Sequence, residues 1–345
     1  MKELKEIINH YKQNAHGLQC ALVCIVQVNG SSYRKPGARI LLLENGEFTG
    51  SISGGCLDGD ALKKAQKVIY SGRPQLVRYD TTQENDSPIG LGLGCQGIID
   101  VLIQPLDNEG YEIGQLQEIV DSRKPLVMVQ AIDSKTISNS ILYPADQALH
   151  IEDDALRQAV TTSFKKERSS LATIDQQRYS IQYYTPAIHL VVCGHQYDSL
   201  VLSELAEKIG WKTTIYGKLQ KIYYKGQITR NCIENDQPLP DADPFTAFII
   251  MSHDIDTDIR NLKRALSEQA SYIGLLGPID RRNKIFDTLE KEFTRQLLLE
   301  QIFTPVGLDI GARTPEEIAI AIIAEVTMYF SNTTGQPLTK VKGGT

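Results

Sequence analysis

From Ile188 onward, short apolar runs alternate with helical stretches, and few folds satisfy that pattern. The runs are Ile188–Val192, Thr213–Tyr216, Phe245–Met251 and Tyr272–Gly277, with a further strand near Ile302. Between them lie helical segments over 200–209, 256–268 and 279–292, and a last helix opens at Pro315. Strands that are apolar throughout, not on every second residue, are buried on both faces. Buried strands joined by helices predict an open, mostly parallel α/β sheet. Ile318-Ala-Ile-Ala-Ile-Ile-Ala-Glu-Val326 is apolar almost all round, with proline well placed at its first turn.

The N-terminal half has a different rhythm. Residues 2–13 read as an amphipathic helix, and Ala21–Val28 as a strand ending at the turn Asn29-Gly30-Ser31-Ser32. Arg39–Leu43 and Phe48–Ile52 form a hairpin about Glu44-Asn-Gly-Glu47. A helix over Asp58–Tyr70 carries Ala61, Leu62, Ala65, Val68 and Ile69 as its apolar stripe. Strands over 76–79, 98–105 and 125–131 and a helix over 111–121 complete a mixed α/β domain. Residues 133–185 are polar and read as the edge of that domain plus a connector. At 345 residues two domains are expected. They are placed at 1–180, connector included, and at 186–332, with 333–345 as a frayed tail.

Two glycine loops stand out in the first domain. Ser51-Ile-Ser-Gly-Gly-Cys-Leu-Asp-Gly59 lies where a strand ends and a helix begins, and Gly90-Leu-Gly-Leu-Gly-Cys-Gln-Gly97 precedes a strand. Each sets a cysteine, Cys56 or Cys95, among glycines. Glycines let a ligand approach the main chain, and free amides form anion-binding nests. The bland alternative is a pair of tight turns, with Asp58 as a helix cap or first-turn acid. Gly30-Ser-Ser-Tyr-Arg-Lys-Pro-Gly-Ala-Arg39 adds hydroxyls and cations. It is either a solvated hairpin tip or, through Arg34, a phosphate or pterin contact.

In the second half, Val192-Cys-Gly-His195 occupies the place of a dinucleotide phosphate loop without G-x-G-x-x-G. The second strand ends at Tyr216-Gly217, with no acid for a ribose, so weak or no NAD(P) binding is expected. Ser252-His253-Asp254 lies at a strand's carboxyl end; His253 is an acid–base candidate or a helix cap. Gly274, Gly277, Asp309, Gly311, Glu316 and Glu317 fall on the same rim. Cys20 and Cys24 lie in an apolar strand and read as core, not as zinc ligands. The net charge of −6 offers no basic face to nucleic acid. There is no apolar run of membrane-spanning length and no signal-peptide pattern. Six scattered cysteines suit free thiols in the cytoplasm.

Taken in order, these motifs resemble the XdhC/CoxI family of maturation factors for molybdenum hydroxylases. The matching stretches are Gly30–Arg39, Gly50–Cys56, Gly92-Leu-Gly-Cys95, Gly194-His195, Ser252-His253-Asp254, Tyr272–Gly277 and Pro305–Ala312 with Thr314–Ala319. They span about residues 10–105 and 186–330. The resemblance implies an XdhC/CoxI-type domain followed by a Rossmann-like one. It implies a molybdenum cofactor, a molybdopterin, held as transient cargo, sulfurated with a cysteine desulfurase and delivered to an apo xanthine dehydrogenase-type hydroxylase. On it, Cys56 and Cys95 handle sulfur or cofactor. Ser32, Arg34, Arg39, Ser53, Gly54, Gly55, Gly92, Gly94, Gly194, His195, His253 and Asp309 are the cofactor-binding candidates. Where members carry Gly-Ala-Gly-His, this chain has Val192-Cys-Gly-His195, which weakens an inherited nucleotide site. A chaperone fits better than a turnover enzyme, and a homodimer is compatible with such a chain. The competing readings are an NAD(P)-binding oxidoreductase and a non-catalytic adaptor of the hydroxylase.

Overall fold

A computed structural model describes residues 1–82, 97–107, 109–133, 139–218 and 231–341. The chain divides into two units, Met1–Pro186 and Ala187–Thr345.

The first unit opens with helix α1 (Lys2–Asn14) and strands β1 (Cys20–Gly30), β2 (Arg39–Leu43) and β3 (Phe48–Gly50). Helix α2 (Asp58–Ser71), strands β4 (Gln75–Asp80) and β5 (Gly97–Pro105), helix α3 (Tyr111–Asp121) and strand β6 (Leu126–Ala131) follow. An antiparallel sheet runs β3-β2-β1-β5-β4. Strand β1 is buried on both faces, and its two residue sets part by alternation. Ala21, Val23 and Ile25 meet Ala61, Ala65, Val68 and Ile69 of α2. Cys20 and Leu22 face α1 and α3 through Ile7, Ile8, Leu116 and Ile119. Helix α2 stops where Gly72 turns left-handed, at φ 64°.

Residues 139–185 do belong to the first unit, as its edge was expected to, but they are folded sheet and helix in place of a connector. They form β7 (Ile141–Pro144), α4 (Ala145–Ala148), α5 (Asp154–Lys166), β8 (Ser170–Ile174) and β9 (Gln177–Tyr184). With β6 they build a second antiparallel sheet, β7-β6-β9-β8. Leu126 and Met128 of β6 join the core beneath the first sheet, while Val127 and Val129 pack with Val160 of α5. The polar composition misleads because several of these polar residues are buried: Ser180 and Gln182 lie inside, where Gln182 is hydrogen-bonded to Arg39 and Ser180.

Burial, reinforced by the Glu44 carboxylate, pushes the Cys20 thiol up to about 11. Unfolding frees it to ionise near its ordinary value. The preference for the folded state is therefore whole below about pH 9 and is lost as pH rises toward about 11. Thermal unfolding from pH 8 to 11 is expected to show that decline, and Cys20→Ala to make it shallower, the buried Cys193 thiol supplying the remainder.

The second unit contains β10 (His189–Cys193), α6 (Tyr197–Lys208), β11 (Lys212–Gly217), β12 (Cys232–Glu234), β13 (Thr246–Ile250) and α7 (Ile255–Ser267). It continues with β14 (Tyr272–Leu275), α8 (Ile279–Leu289), α9 (Arg295–Gln301), β15 (Ile302–Phe303) and α10 (Pro315–Phe330). All six strands are parallel, in the order β12-β11-β10-β13-β14-β15. Counted along this unit that is 3-2-1-4-5-6, the doubly wound dinucleotide-fold order. Leu262, Ile285 and Phe286 cover one face of the sheet, and Leu202, Ala206, Ile322 and Val326 the other. The open α/β sheet read from the sequence is present. Strand β12 and helix α9 escaped that reading, being too short to carry a period. No helix among the described residues is long and apolar enough to cross a membrane.

Candidate functional site

The register of the first sheet brings the chemistry of the first unit to one end. Gly30 faces Gly97, Ile40 faces Gly50, and Asp80 faces Ile98. The carboxyl ends of β1, β3 and β4 and the amino ends of β2 and β5 therefore point the same way, with β1 and β5 running on past Arg39, which pairs with Cys24. Loops 31–38 and 51–57 leave in that direction, and so do both anchors of the segment between β4 and β5. At one anchor, Thr81 Oγ1 donates to the Gly97 carbonyl at 2.8 Å. A Cβ at Gly97 would stand 2.4 Å from the Ser31 carbonyl oxygen, so only glycine lets these strands meet. Gly92, Gly94 and Cys95 lie outside the described residues.

Asp58 organises loop 51–57. The N-cap of α2 is Leu57, without a side-chain cap, and Asp58 in the first turn reaches backward. Its carboxylate accepts from Ser51 Oγ at 2.7 Å, Ile52 N at 3.2 Å, Ser53 N at 2.9 Å and Ser53 Oγ at 2.8 Å. Ser53 Oγ in turn accepts from the amides of Gly55 (3.1 Å) and Leu57 (2.9 Å). Ser53 is thus buried as a brace, while Gly54, Gly55 and Cys56 are exposed. Gly55 has φ 106°, and nothing lies within 4 Å of where its Cβ would be. Among the described residues the amides of Gly54 and Cys56 have no partner. Asp58 and Asp60 already answer the field at the start of α2. The exposed, unpartnered amides therefore lie on the loop ahead of the helix.

The exposed Cys56 contrasts with Cys20, Cys24 and Cys193, which are buried. Cys193 lies among Val191, Phe248 and Ile250, and burial pushes its thiol far above the ordinary range. It is a core residue. Native protein treated with iodoacetamide at pH 7.5 is expected to be modified at Cys56, with Cys20, Cys24 and Cys193 labelled only after denaturation. Peptide mass spectrometry reads this directly.

The two arginines of the hairpin loop prove committed elsewhere. Arg34 is paired with Glu3 of α1. The other oxygen of Glu3 accepts from the Arg39 amide at 2.8 Å. Arg39 is 2% exposed. Its guanidinium donates to the carbonyl of Gly37 (2.7 Å), Gln182 Oε1 (2.9 Å) and Tyr184 OH (2.6 Å). Arg39 therefore joins the two sheets of the unit and is not displayed to a ligand. The sequence reading missed this because two of the acceptors lie more than 140 residues downstream. Ser32 remains on the loop, half-buried. Tyr33, between Ser32 and Arg34, lies against Gly54 and ties loop 31–38 to loop 51–57.

In the second unit the strand order reverses between β10 and β13, and open α/β sheets bind ligands in that crevice. Gly194, His195 and His253 all lie there. A Cβ at Gly194 would come 2.4 Å from Ser199 Oγ and 2.7 Å from the Met251 carbonyl oxygen. Gln196 bridges the crevice, its Nε2 donating to the Ser252 carbonyl at 2.7 Å. His253 Nε2 lies 2.6 Å from Asp198 Oδ2, and Asp198 Oδ1 accepts from the Ser199 amide at 2.9 Å. The chain's own carboxylate thus sits where a dinucleotide fold seats pyrophosphate. His253 has φ 62°, a strained value for a non-glycine residue. It does not cap α7: Asp254 does, accepting from Thr257 N. Glu317 likewise is a structural acid, completing the capping box of α10 with Thr314. Asp309 is exposed on the connection from β15 to α10. Among the described residues no hydrogen bond links it to Gly194, His195 or His253.

Residues 190–326 match the family model described as the XdhC Rossmann domain. Residues 14–80 match that of the XdhC and CoxI family. The chain is 27% identical over 319 residues to a Bacillus subtilis protein described as a probable subunit of xanthine dehydrogenase, covering 89% of this chain and 92% of that one. It is 23% identical over 311 residues to the Escherichia coli molybdenum cofactor insertion chaperone PaoD, covering 90% and 83%. A crystal structure described as a xanthine dehydrogenase from Bacillus halodurans superposes with a TM-score of 0.73 at 24% identity, over 99% of this chain and 98% of that one.

Proposed function

The chain belongs to the XdhC and CoxI family, and from that premise we propose that it carries the molybdenum cofactor, supports its sulfuration and inserts it into an apo xanthine dehydrogenase-type hydroxylase. The observation that carries this reading is loop 51–57, held from below by Asp58 and opened above at Gly54, Gly55 and Cys56. It has the donors such a cargo asks for. A molybdopterin brings a phosphate, which unpartnered amides and the hydroxyl of Ser32 suit. It brings a sulfur-bound metal, which an exposed thiol suits. Cys56 is the residue of choice for holding cofactor or sulfur, and Cys95 is the candidate second. Arg34 can contribute only by parting from Glu3. A carrier has to release its cargo, so several weak donors serve better than one strong bond. A relative named as a molybdenum cofactor insertion chaperone, aligned over most of the chain, supports the same reading. A cysteine desulfurase is the source proposed for the sulfur, and the cytoplasm the place.

The protein purified after co-expression with cofactor biosynthesis is expected to carry molybdenum and pterin, measured by elemental analysis and by the fluorescence of the oxidised pterin. Cys56→Ala is expected to lose most of both. Absence of both from the wild type would end the reading. The alternative of an NAD(P)-dependent oxidoreductase draws on the strand order of the second unit. Against it stands the Asp198 carboxylate at the head of α6. Titration with NADH and NADPH is expected to give no binding in the micromolar range.

A further inference from the structure

Tyr33 is 71% exposed, among the most exposed large side chains of the first unit. A Cβ built on Gly54 would lie 3.8 to 3.9 Å from Cγ, Cδ1 and Cε1 of its ring. Near-equal distances to three successive ring atoms put that point over the ring face, since an in-plane approach would spread them. One face of Tyr33 is therefore turned toward Gly54, and the residue is 71% exposed. The backbone that carries the ring is held on its C-terminal side. Its neighbour Arg34 is paired with Glu3. Beyond it, Gly37 donates to the Ile25 carbonyl at 2.9 Å and accepts from Arg39 at 2.7 Å. A tyrosine ring, with only two side-chain torsions, left open beside a glycine loop gives contact area at small entropic cost.

We infer that Tyr33 is the stacking platform for a flat heteroaromatic ring, the pterin of the cargo, two residues from Cys56 across the Gly54–Gly55 backbone. This rests on the carrier reading and adds to it the element that recognises the organic part of the cofactor. A side chain of one carbon at Gly54 would make an ordinary contact with the ring, whereas Gly55, at φ 106°, holds a backbone conformation that favours glycine and leaves open space beside it.

The test titrates the full chain with a 6-substituted pterin phosphate, following the quenching of the pterin's own fluorescence, and with inorganic phosphate in parallel. Stacking of a base on an aromatic side chain is worth about 1–3 kcal/mol, or roughly 5- to 150-fold in affinity. Tyr33→Ala is expected to weaken pterin binding within that range, while Tyr33→Phe stays within about 2-fold of wild type. Phosphate binding should not respond to either. Tyr33→Leu, which keeps an apolar contact with Gly54, is expected to lose as much as the alanine variant and guards against a loop collapsed by truncation. A wild type that binds pterin, with Tyr33→Ala and Tyr33→Leu equal to it, overturns the platform and leaves the carrier reading standing. A wild type that binds no pterin overturns both.

Discussion

Asp58→Ala is expected to destabilise the first unit by about 2–4 kcal/mol and to abolish cofactor carriage, even at temperatures where the variant is fully folded. One carboxylate accepts from two hydroxyls and two amides of residues 51–53, and hydrogen bonds to a charged group are worth about 1.5–3 kcal/mol each. Asp58 is half-exposed, so water replaces part of that, which sets the net cost below the sum. The larger effect falls on geometry. Ser53, released from Asp58, no longer holds the amides of Gly55 and Leu57 in place, and the open loop loses its fixed form. Asp58→Asn retains an acceptor for the two amides and should fall midway. Thermal unfolding gives the stability change and molybdenum content the carriage. A fully loaded Asp58→Ala protein would show that the loop does not hold the cargo.

Arg39→Met is expected to cost about 3–5 kcal/mol, read from the urea midpoint, with no change in cargo affinity for the fraction that remains folded. Methionine fills much of the volume but removes the donor to Gly37, Gln182 and Tyr184. Tyr184 OH still donates to Gln182 Oε1 at 2.5 Å, so the Gly37 carbonyl and the second lone pairs of the other two lose their partner. Each stranded polar group costs about 1–3 kcal/mol. Arg39→Lys should rescue little, because one ammonium cannot serve the fork of directions a guanidinium spans. Had Arg39 been a ligand contact, the signature would be reversed: affinity lost and stability kept.

Arg39 and Asp58 also mark how far the sequence can be read. The second unit was legible because its strands are apolar throughout and its helices have clean periods. Loop 51–57 was legible because glycines and a cysteine crowd a strand–helix junction. Residues 133–185 were not, because Gln182 and Ser180 are polar residues used inside. Composition cannot distinguish a buried hydrogen-bonded glutamine from a solvated one. Arg34 and Arg39 looked alike in sequence, five residues apart on one loop. Glu3 takes the first and the second sheet takes the other, and neither partner is local. Tyr33 passed unremarked because nothing in the chain order announces that it meets Gly54.

The antiparallel register around β1 sends loops 31–38 and 51–57, and both anchors of the segment between β4 and β5, out at a single end of the sheet. The opposite end, at Cys20, Leu43 and Pro105, has only the frame to maintain. Such a layout separates the two burdens of inheritance. Substitutions at the exposed positions Gly54 and Cys56 touch no strand pairing, whereas those at Ser53 reach the Asp58 brace. Variation at those exposed positions would therefore change what the loops present at little risk to the sheet that holds them.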